Sequence, residues 1–127
     1  DNFFDVAIFN NVLYSLESST VEHCLKEVFR VLCIGGEVRI SEPHKNANAS
    51  KVLREIKREL IKNRHFEEVQ IHYQKVREIN ELSLAQMLNK WSIEDMEAIL
   101  LKVGFSEITF KLDKTYARQS FLICAKK

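Results

Sequence analysis

Polar side chains stand at the ends of two apolar segments, where a predicted strand gives way to a loop. Asn10 and Asn11 follow the run "FDVAIF", and Glu42 and His44 flank Pro43 after "EVRIS". Ligands of open α/β sheets bind at the carboxyl ends of the strands. A histidine in such a position can act as a general base when a hydroxyl nucleophile must lose its proton, which makes His44 the candidate catalytic residue.

Each of these residues also has a plainer interpretation. A lone loop histidine is more often simply solvated, and Asn10 and Asn11 can serve only to end a strand and form a turn. Tyr14 lies one helical turn beyond Asn10 and is a candidate for the substrate side of the crevice, although half-buried packing explains a tyrosine there as well. Glu42 lies next to the same crevice and is the second candidate substrate contact.

Composition excludes several classes of function. The chain has 127 residues, 46% of them apolar and 29% charged, with a net charge of +1. Its length allows one domain or less, and its charge gives no general attraction to nucleic acid or to an anionic membrane. The apolar runs are too short and too often interrupted by charge to span a bilayer.

The cysteines and histidines indicate a reduced, metal-free protein. Cys24, Cys33 and Cys124 are far apart, and each lies in an apolar pattern typical of core thiols in a cytoplasmic protein. His65 and His72 are two helical turns apart, too far for one helix to clamp a metal ion. We therefore predict no metal site.

The first third of the chain predicts a βαβ unit. Residues 4–10 form a compact apolar run typical of a strand buried on both faces. A helix capped by Ser18, Ser19 or Thr20 follows, and its apolar stripe extends to Leu32. We expect Gly35 and Gly36 to end that helix and reverse the chain into a strand ending at Pro43, which implies two parallel strands.

The remaining chain predicts helices followed by a hairpin. Residues 45–50 are a polar connector, and residues 51–90 are helical with a bend at 63–66. Ser92 and Asp95 form a capping box for a further helix, which ends at Gly104. The segments "FSEITFKLD" and "SFLICAKK" predict an antiparallel hairpin joined by "KTYARQ". We expect one partial domain, divided into a βαβ unit (1–43), a helical insert (44–91), and a helix with the closing hairpin (92–127).

Three stretches resemble the carboxyl-terminal half of a class I S-adenosylmethionine-dependent methyltransferase domain. They are "FDVAIFNNVLYSL" at residues 4–16, "EVFRVLCIGGEVRISEP" at 27–43 and "LLKVGFSEITF" at 100–110. Two positions depart from the family pattern, since Ile34 replaces the usual proline and Ser15 stands where histidine is frequent. The family's glycine-rich loop and the acidic residue for the ribose are not in this chain.

The resemblance implies a fold, a cofactor and site residues. The fold is α/β, a partial Rossmann-like sheet of two parallel strands with a carboxyl-terminal antiparallel hairpin and a helical insert. The cofactor is S-adenosylmethionine, whose methionine end Asn10, Asn11 and Val12 would face, and the substrate is a small molecule. The insert corresponds to a lid. Because the first half of such a domain is missing, we expect the chain to be a piece of a longer polypeptide and to be inactive by itself.

Two other functions remain open. The chain could be a non-catalytic methyltransferase-like module for binding or assembly, or a degenerate subunit that stabilises an active partner. In either case we expect the chain to form a homodimer through the apolar edge of residues 4–9 or the helical insert. Residues 51–64 carry an excess of basic side chains that could meet an anionic substrate or RNA. A solvated helix face with i,i+4 charge pairs is the favoured interpretation, and the lack of interleaved aromatic residues argues against a platform for single-stranded nucleic acid. We expect neither nucleic acid nor membrane as a partner.

Overall fold

The computed structural model describes residues 1–85, 90–112 and 117–127, with the backbone alone for residues 83–85. Within these ranges lie eight regular elements, four strands and four α-helices. In chain order they are β1 (Phe4–Asn10), α1 (Ser18–Val31), β2 (Leu32–Pro43), α2 (Ala49–Lys62), α3 (Phe66–Ala85), α4 (Ile93–Val103), β3 (Ser106–Leu112) and β4 (Ser120–Lys126). A single 3₁₀ turn, Leu13–Ser15, connects β1 to α1.

The four described strands form one mixed sheet in the order β1-β2-β4-β3. β1 is parallel to β2, with Ala7 opposite Val38. β4 is antiparallel to both β2 and β3, so the closing hairpin adds to the sheet through its second strand. The predicted α/β class, with two parallel strands and a terminal antiparallel hairpin, is confirmed. The division at residues 43 and 91 stays a prediction.

The hydrophobic core lies between one face of the sheet and the helices α1 and α4. Its fully buried side chains include Leu25 of α1, Leu100 of α4 and Ile40 of β2. Phe105 follows the helix-ending Gly104 and meets Phe29 of α1 edge-on, with ring centroids 5.0 Å apart. The spacing of apolar residues in the sequence therefore identified the two helices that build the core.

The end of α1 differs from the prediction. The helix ends at Val31, and Leu32 is already extended, with φ −68° and ψ 142°. Gly35 and Gly36 lie within β2, where the register with β1 shifts between Phe4 and Val6. The two glycines thus accommodate an irregularity in a strand and do not end the helix. A backbone hydrogen bond from Phe3 N–H to the Val31 carbonyl, at 2.7 Å, already holds the chain next to β1 at this point.

The two helix caps give one correction and one confirmation. Glu17 is the amino-terminal cap residue of α1 and makes no side-chain capping bond, so Ser18, Ser19 and Thr20 lie inside the first turn rather than before it. The capping box of α4 is present as predicted, since Ser92 accepts a hydrogen bond from Asp95 N–H and the Asp95 side chain accepts one from Ser92 N–H.

β1 is more exposed than its apolar sequence predicted. It is an edge strand, and Phe4, Val6 and Ile8 are 51%, 42% and 69% exposed. Ala7 and Phe9, on the other face, pack against the core. The expectation of burial on both faces is wrong for this chain because α1 and α4 cover one side of the sheet. The expected unpaired apolar edge is present.

The helical insert forms a hairpin of two helices, α2 and α3, with the break at the predicted bend. The Tyr73 hydroxyl of α3 donates a hydrogen bond of 3.0 Å to the Leu53 carbonyl of α2. Leu53 is buried, whereas Ile71 and Ile79 of α3 are 68% and 61% exposed. Residues 86–89 of the predicted helical region and 113–116 of the hairpin connector lie outside the described residues.

No helix in the described part of the chain combines the length and the apolar character that crossing a bilayer requires. Cys24, Cys33 and Cys124 are free thiols, and each is half-buried rather than fully inside the core.

Candidate functional site

The parallel register places the two predicted strand ends side by side. Asn10 lies opposite Ser41, and the Asn11 N–H donates a hydrogen bond of 2.8 Å to the Ser41 carbonyl. Glu42 is the next residue of β2. We call residues 10–14, which leave the sheet here, the strand-end loop. The structure therefore brings Asn10, Asn11 and Glu42 to the same rim of the sheet, as the sequence predicted.

The Glu42 carboxylate holds the strand-end loop. Its Oε1 accepts hydrogen bonds from the N–H groups of Val12 and Leu13, both at 2.8 Å, and its Oε2 accepts one from Tyr14 N–H at 3.2 Å. The side chain is fully buried. Burial raises the pKa of Glu42 above its ordinary value, and the three backbone hydrogen bonds oppose that change. Both oxygens are thus engaged by backbone, and direct contact of Glu42 with a substrate stays a prediction.

The side chains of Asn10, Asn11 and Val12 are exposed along the loop. Asn11 has a left-handed backbone, with φ 54°, a conformation that asparagine tolerates better than most residues. Its side-chain amide donates to Asn10 Oδ1 at 3.4 Å. Asn11 therefore does form a turn, and that turn leaves its amide and that of Asn10 at the rim. Formation of a turn and an amide that faces a cofactor are therefore compatible roles for Asn11.

Leu13 and Tyr14 fix the far end of the loop. Leu13 is completely buried in the core, and Tyr14 is half-buried. The Ser15 hydroxyl closes the 3₁₀ turn by donating to the Val12 carbonyl at 2.7 Å. The Ser15 side chain is thus engaged with the backbone of the loop. Tyr14 has the partial burial expected of a packing tyrosine and remains a candidate substrate contact.

His44 follows Glu42 by two residues at the end of β2. Its N–H donates to the Gln119 carbonyl at 2.9 Å, and its Nδ1 accepts a hydrogen bond from Asn46 N–H at 3.2 Å. An accepting Nδ1 places the proton of the neutral ring on Nε2, which is then a donor. Its ring meets Phe121 edge-on. Action as a general base therefore requires the bond from Asn46 to break.

Two residues of this rim were not identified from the sequence. Trp91 pairs with the end of β2, where its carbonyl accepts a hydrogen bond of 2.7 Å from Lys45 N–H. Ser120 lies opposite Pro43 in β4. Within the described part of the chain, Trp91 Nε1 and Ser120 Oγ are buried polar atoms without a hydrogen-bond partner. Buried polar atoms are normally satisfied, so these two are available to a water or a bound molecule. The sequence offered only the position of Trp91, directly before the capping box, as a signal.

No protein-family model and no curated protein matches the chain. Solved structures do match over almost its whole length. An S-adenosylmethionine-dependent methyltransferase from Archaeoglobus fulgidus aligns with 100% of the chain at 13% identity and a TM-score of 0.63. One from Mesorhizobium loti aligns with 99% at 15% identity and a TM-score of 0.62. Phosphoethanolamine N-methyltransferase 2 from Haemonchus contortus, solved with S-adenosylmethionine bound, aligns with 98% at 14% identity and a TM-score of 0.55.

The chain spans only part of these proteins, since the alignments cover 61%, 62% and 33% of their respective lengths. At this level of identity the matches establish the fold alone: the chain has the same fold as the corresponding part of these methyltransferase structures. The residues present fit one wall of a cofactor site. The outward amides of Asn10 and Asn11 lie at the carboxyl end of a parallel strand pair, in a loop whose shape a buried carboxylate fixes.

Proposed function

We propose that the chain is the carboxyl-terminal part of an S-adenosylmethionine-dependent methyltransferase that acts on a small molecule. The observation that supports this most strongly is the strand-end loop, held by three backbone hydrogen bonds to Glu42 at the rim where open α/β sheets bind ligands. The similarity to methyltransferase structures along the whole chain agrees with it.

The strand-end loop would form the wall that contacts the cofactor. Asn10 and Asn11 offer exposed amide groups, and Val12 offers an exposed apolar surface beside them. Bound S-adenosylmethionine supplies an electrophilic methyl group on a sulfonium centre. The work left to the protein is alignment, because holding two reactants in line can lower a barrier by roughly 7–11 kcal/mol. Glu42 is a positioning residue in this scheme, since it acts through the loop that it holds.

His44 and Tyr14 would face the methyl acceptor. Because His44 Nδ1 accepts from Asn46 N–H, Nε2 carries the proton of the neutral ring and can donate it to an acceptor oxygen or nitrogen of the substrate. When Asn46 releases Nδ1, the ring can take a proton from a hydroxyl nucleophile, as predicted from the sequence. Tyr14, which is half-buried next to the loop, would close the substrate side.

Titration of the chain with S-adenosylhomocysteine, followed by amide NMR, tests the cofactor assignment. We expect weak binding that shifts the resonances of Asn10, Asn11 and Val12, since this chain supplies one wall of the site. Adenosine alone should leave these three unchanged, because the loop is assigned to the methionine end. Shifts confined to other residues would contradict the assignment. Binding near micromolar affinity would contradict the expectation that half of the site is missing.

A second candidate function is a binding or assembly module that carries out no chemistry. The open face of the edge strand β1, with Ile8 69% exposed, favours association with another sheet or a second copy. In that function the strand-end loop is scaffold only. The same titration separates the two candidates, because an assembly module shows no response of the loop to S-adenosylhomocysteine.

A further inference from the structure

Helix α2 carries a concentrated positive charge. Five of its residues are Lys or Arg and two are Glu. Lys51, Arg54 and Arg58 follow one another at spacings of three and four, so they lie on one face of the helix. Leu53 lies on the opposite side of the helix and is buried, and its carbonyl accepts a hydrogen bond from Tyr73 of α3. The basic face is therefore left to the solvent side.

This basic face lines a cleft rather than a convex surface. Lys51, Arg54 and Arg58, together with Glu55 and Ala117, line an open cleft with a volume of about 200 Å³. Glu55 is the one carboxylate among these lining residues. The cleft thus has three cationic groups facing a space large enough for a small ionic group.

Within the described part of the chain these three cations form no ion pair with a carboxylate, whereas several basic residues on other elements do. Across the described ranges, Lys26, Arg39, Arg77, Lys102 and Lys126 each form an ion pair with a carboxylate. The described ion pairs include none with Lys51, Arg54 or Arg58, although Glu55 and Glu59 lie on the same helix. Three like charges around one cleft repel each other, and a bound anion relieves that repulsion.

The cleft lies at the rim that holds the candidate site. Gln119 connects them: its carbonyl accepts the hydrogen bond from His44 N–H, and its side-chain oxygen accepts one of 2.8 Å from Asn48 N–H, directly before α2. Gln119 Nε2 in turn donates to the carbonyl of Ala117, a residue of the cleft, at 3.0 Å. A molecule seated in the cleft is therefore close in the fold to the end of β2.

We propose that the face formed by Lys51, Arg54 and Arg58 binds a dianionic group, a phosphate monoester or a closely spaced dicarboxylate, on the small molecule to be methylated. The arginine guanidinium is suited to such groups because its planar N–H donors match two anion oxygens at once. This inference rests on the proposed function for the identity of the ligand, but the anion site itself does not require cofactor binding.

Two other partners fit the structure less well. Single-stranded nucleic acid is held by aromatic side chains among the basic ones, and the described lining of the cleft contains none. A membrane surface requires a continuous free apolar face on the basic helix, whereas the apolar side of α2 is only partly exposed, with Leu53 buried and Ile56 44% exposed. We therefore assign the cleft to a small anionic molecule.

Calorimetric titration of the chain with inorganic phosphate and with malonate, at low ionic strength, tests the proposal. We expect saturable millimolar binding of at least one of them, and the tighter of the two identifies the kind of anion. The double variant Arg54→Gln/Arg58→Gln should weaken binding at least about tenfold, because each charge-assisted hydrogen bond lost is worth about that much. Arg77→Gln, which removes one arginine charge at an exposed position of α3, is the control and should bind like the wild type.

Three results would overturn the proposal. They are the absence of saturable binding of either anion, equal weakening by Arg77→Gln, and tighter binding of a labelled single-stranded oligonucleotide or of phosphatidylserine vesicles than of either anion. Circular dichroism of each variant verifies that its helices are intact. Because S-adenosylhomocysteine binding is measured separately, anion binding without a cofactor response would preserve this site and reject the proposed function.

Discussion

Glu42 engages both carboxylate oxygens with the backbone of the strand-end loop, and no part of its side chain reaches solvent. Its position at the end of β2 could be predicted from the sequence, and so could its closeness to Asn10. Its backbone partners could not, because they depend on how the loop returns across the end of a neighbouring strand. The residue predicted as a substrate contact thus holds the strand-end loop through three backbone hydrogen bonds.

Glu42→Gln should reduce the free energy of unfolding by about 1–3 kcal/mol. The new amide keeps one oxygen for the N–H groups of Val12 and Leu13 but places an N–H₂ donor opposite Tyr14 N–H. Urea unfolding measures the change. Glu37→Gln, at a partly exposed position of the same strand, removes an ion pair with Arg39. It should lower the free energy of unfolding by less than about 1 kcal/mol.

The effect of Glu42 should depend on pH in a defined direction. Burial raises its pKa in the folded chain above the ordinary 4.5, so the folded state keeps the proton to higher pH than the unfolded state does. Its contribution is then fully present below the unfolded pKa and declines as the pH rises through the folded pKa. The stability difference between wild type and Glu42→Gln should narrow as the pH increases. A difference that widens would show that the backbone hydrogen bonds outweigh burial.

At the scale of elements, the three glycines differ in backbone conformation and in the space available for an added Cβ. Gly36 has ordinary backbone angles, but an added Cβ would lie 2.9 Å from the Cys33 carbonyl oxygen and 3.1 Å from that of Asp5. Gly104 ends α4 at φ 117°, where a Cβ would lie 3.2 Å from the Phe29 ring. Gly35 also has a positive φ, 79°, but its Cβ would meet nothing within 4 Å.

Alanine substitution at these glycines should destabilise the chain in the order Gly36, Gly104, Gly35. Gly36→Ala forces backbone atoms apart and should cost about 3 kcal/mol. Gly104→Ala strains the left-handed backbone and also brings the new Cβ against the movable Phe29 ring, which should cost about 1–2 kcal/mol. Gly35→Ala strains the backbone only, which should cost about 1 kcal/mol. Thermal unfolding of the three variants measures the order. A Gly35→Ala variant as unstable as Gly36→Ala would contradict the contacts described.

The sequence predicted helices and strands well where the pattern is periodic and local. The α4 cap at Ser92, its end at Gly104 and the break between α2 and α3 were all identified in this way. The errors fall where long-range contacts decide the structure. α1 ends before the glycines because β1 pairs with Leu32, and one face of β1 is exposed because α1 and α4 cover only the other face of the sheet. The place of β4 between β2 and β3 is likewise a property of long-range pairing that residue spacing does not reveal.

At the scale of the whole molecule, the edge of β1 should cause association. Phe4, Val6 and Ile8 present an apolar face on a strand with one free side, a combination that favours pairing with another chain. We expect size-exclusion chromatography with light scattering to show dimers or larger species at high concentration. Ile8→Lys should shift the chain to monomers, because a charge on an edge strand opposes pairing.

Two control variants assign the interface. Thr109→Lys places the same charge on the opposite edge strand, β3, and should leave the association unchanged. Ile79→Lys alters the exposed side of α3 instead, and dissociation by this variant alone would place the interface on the helical insert. A wild-type chain that remains monomeric at high concentration would contradict the expected association through either surface.

The central claim is that the strand-end loop forms a wall of a cofactor site, and photochemical labelling tests it most directly. The chain is irradiated with S-adenosylmethionine radiolabelled in its methyl group, digested with trypsin and mapped by mass spectrometry. We predict label in the amino-terminal peptide that ends at Lys26, which contains Asn10, Asn11 and Val12, and its loss when unlabelled S-adenosylhomocysteine is in excess. Label that is absent from this peptide, or that unlabelled S-adenosylhomocysteine does not displace, would contradict the account.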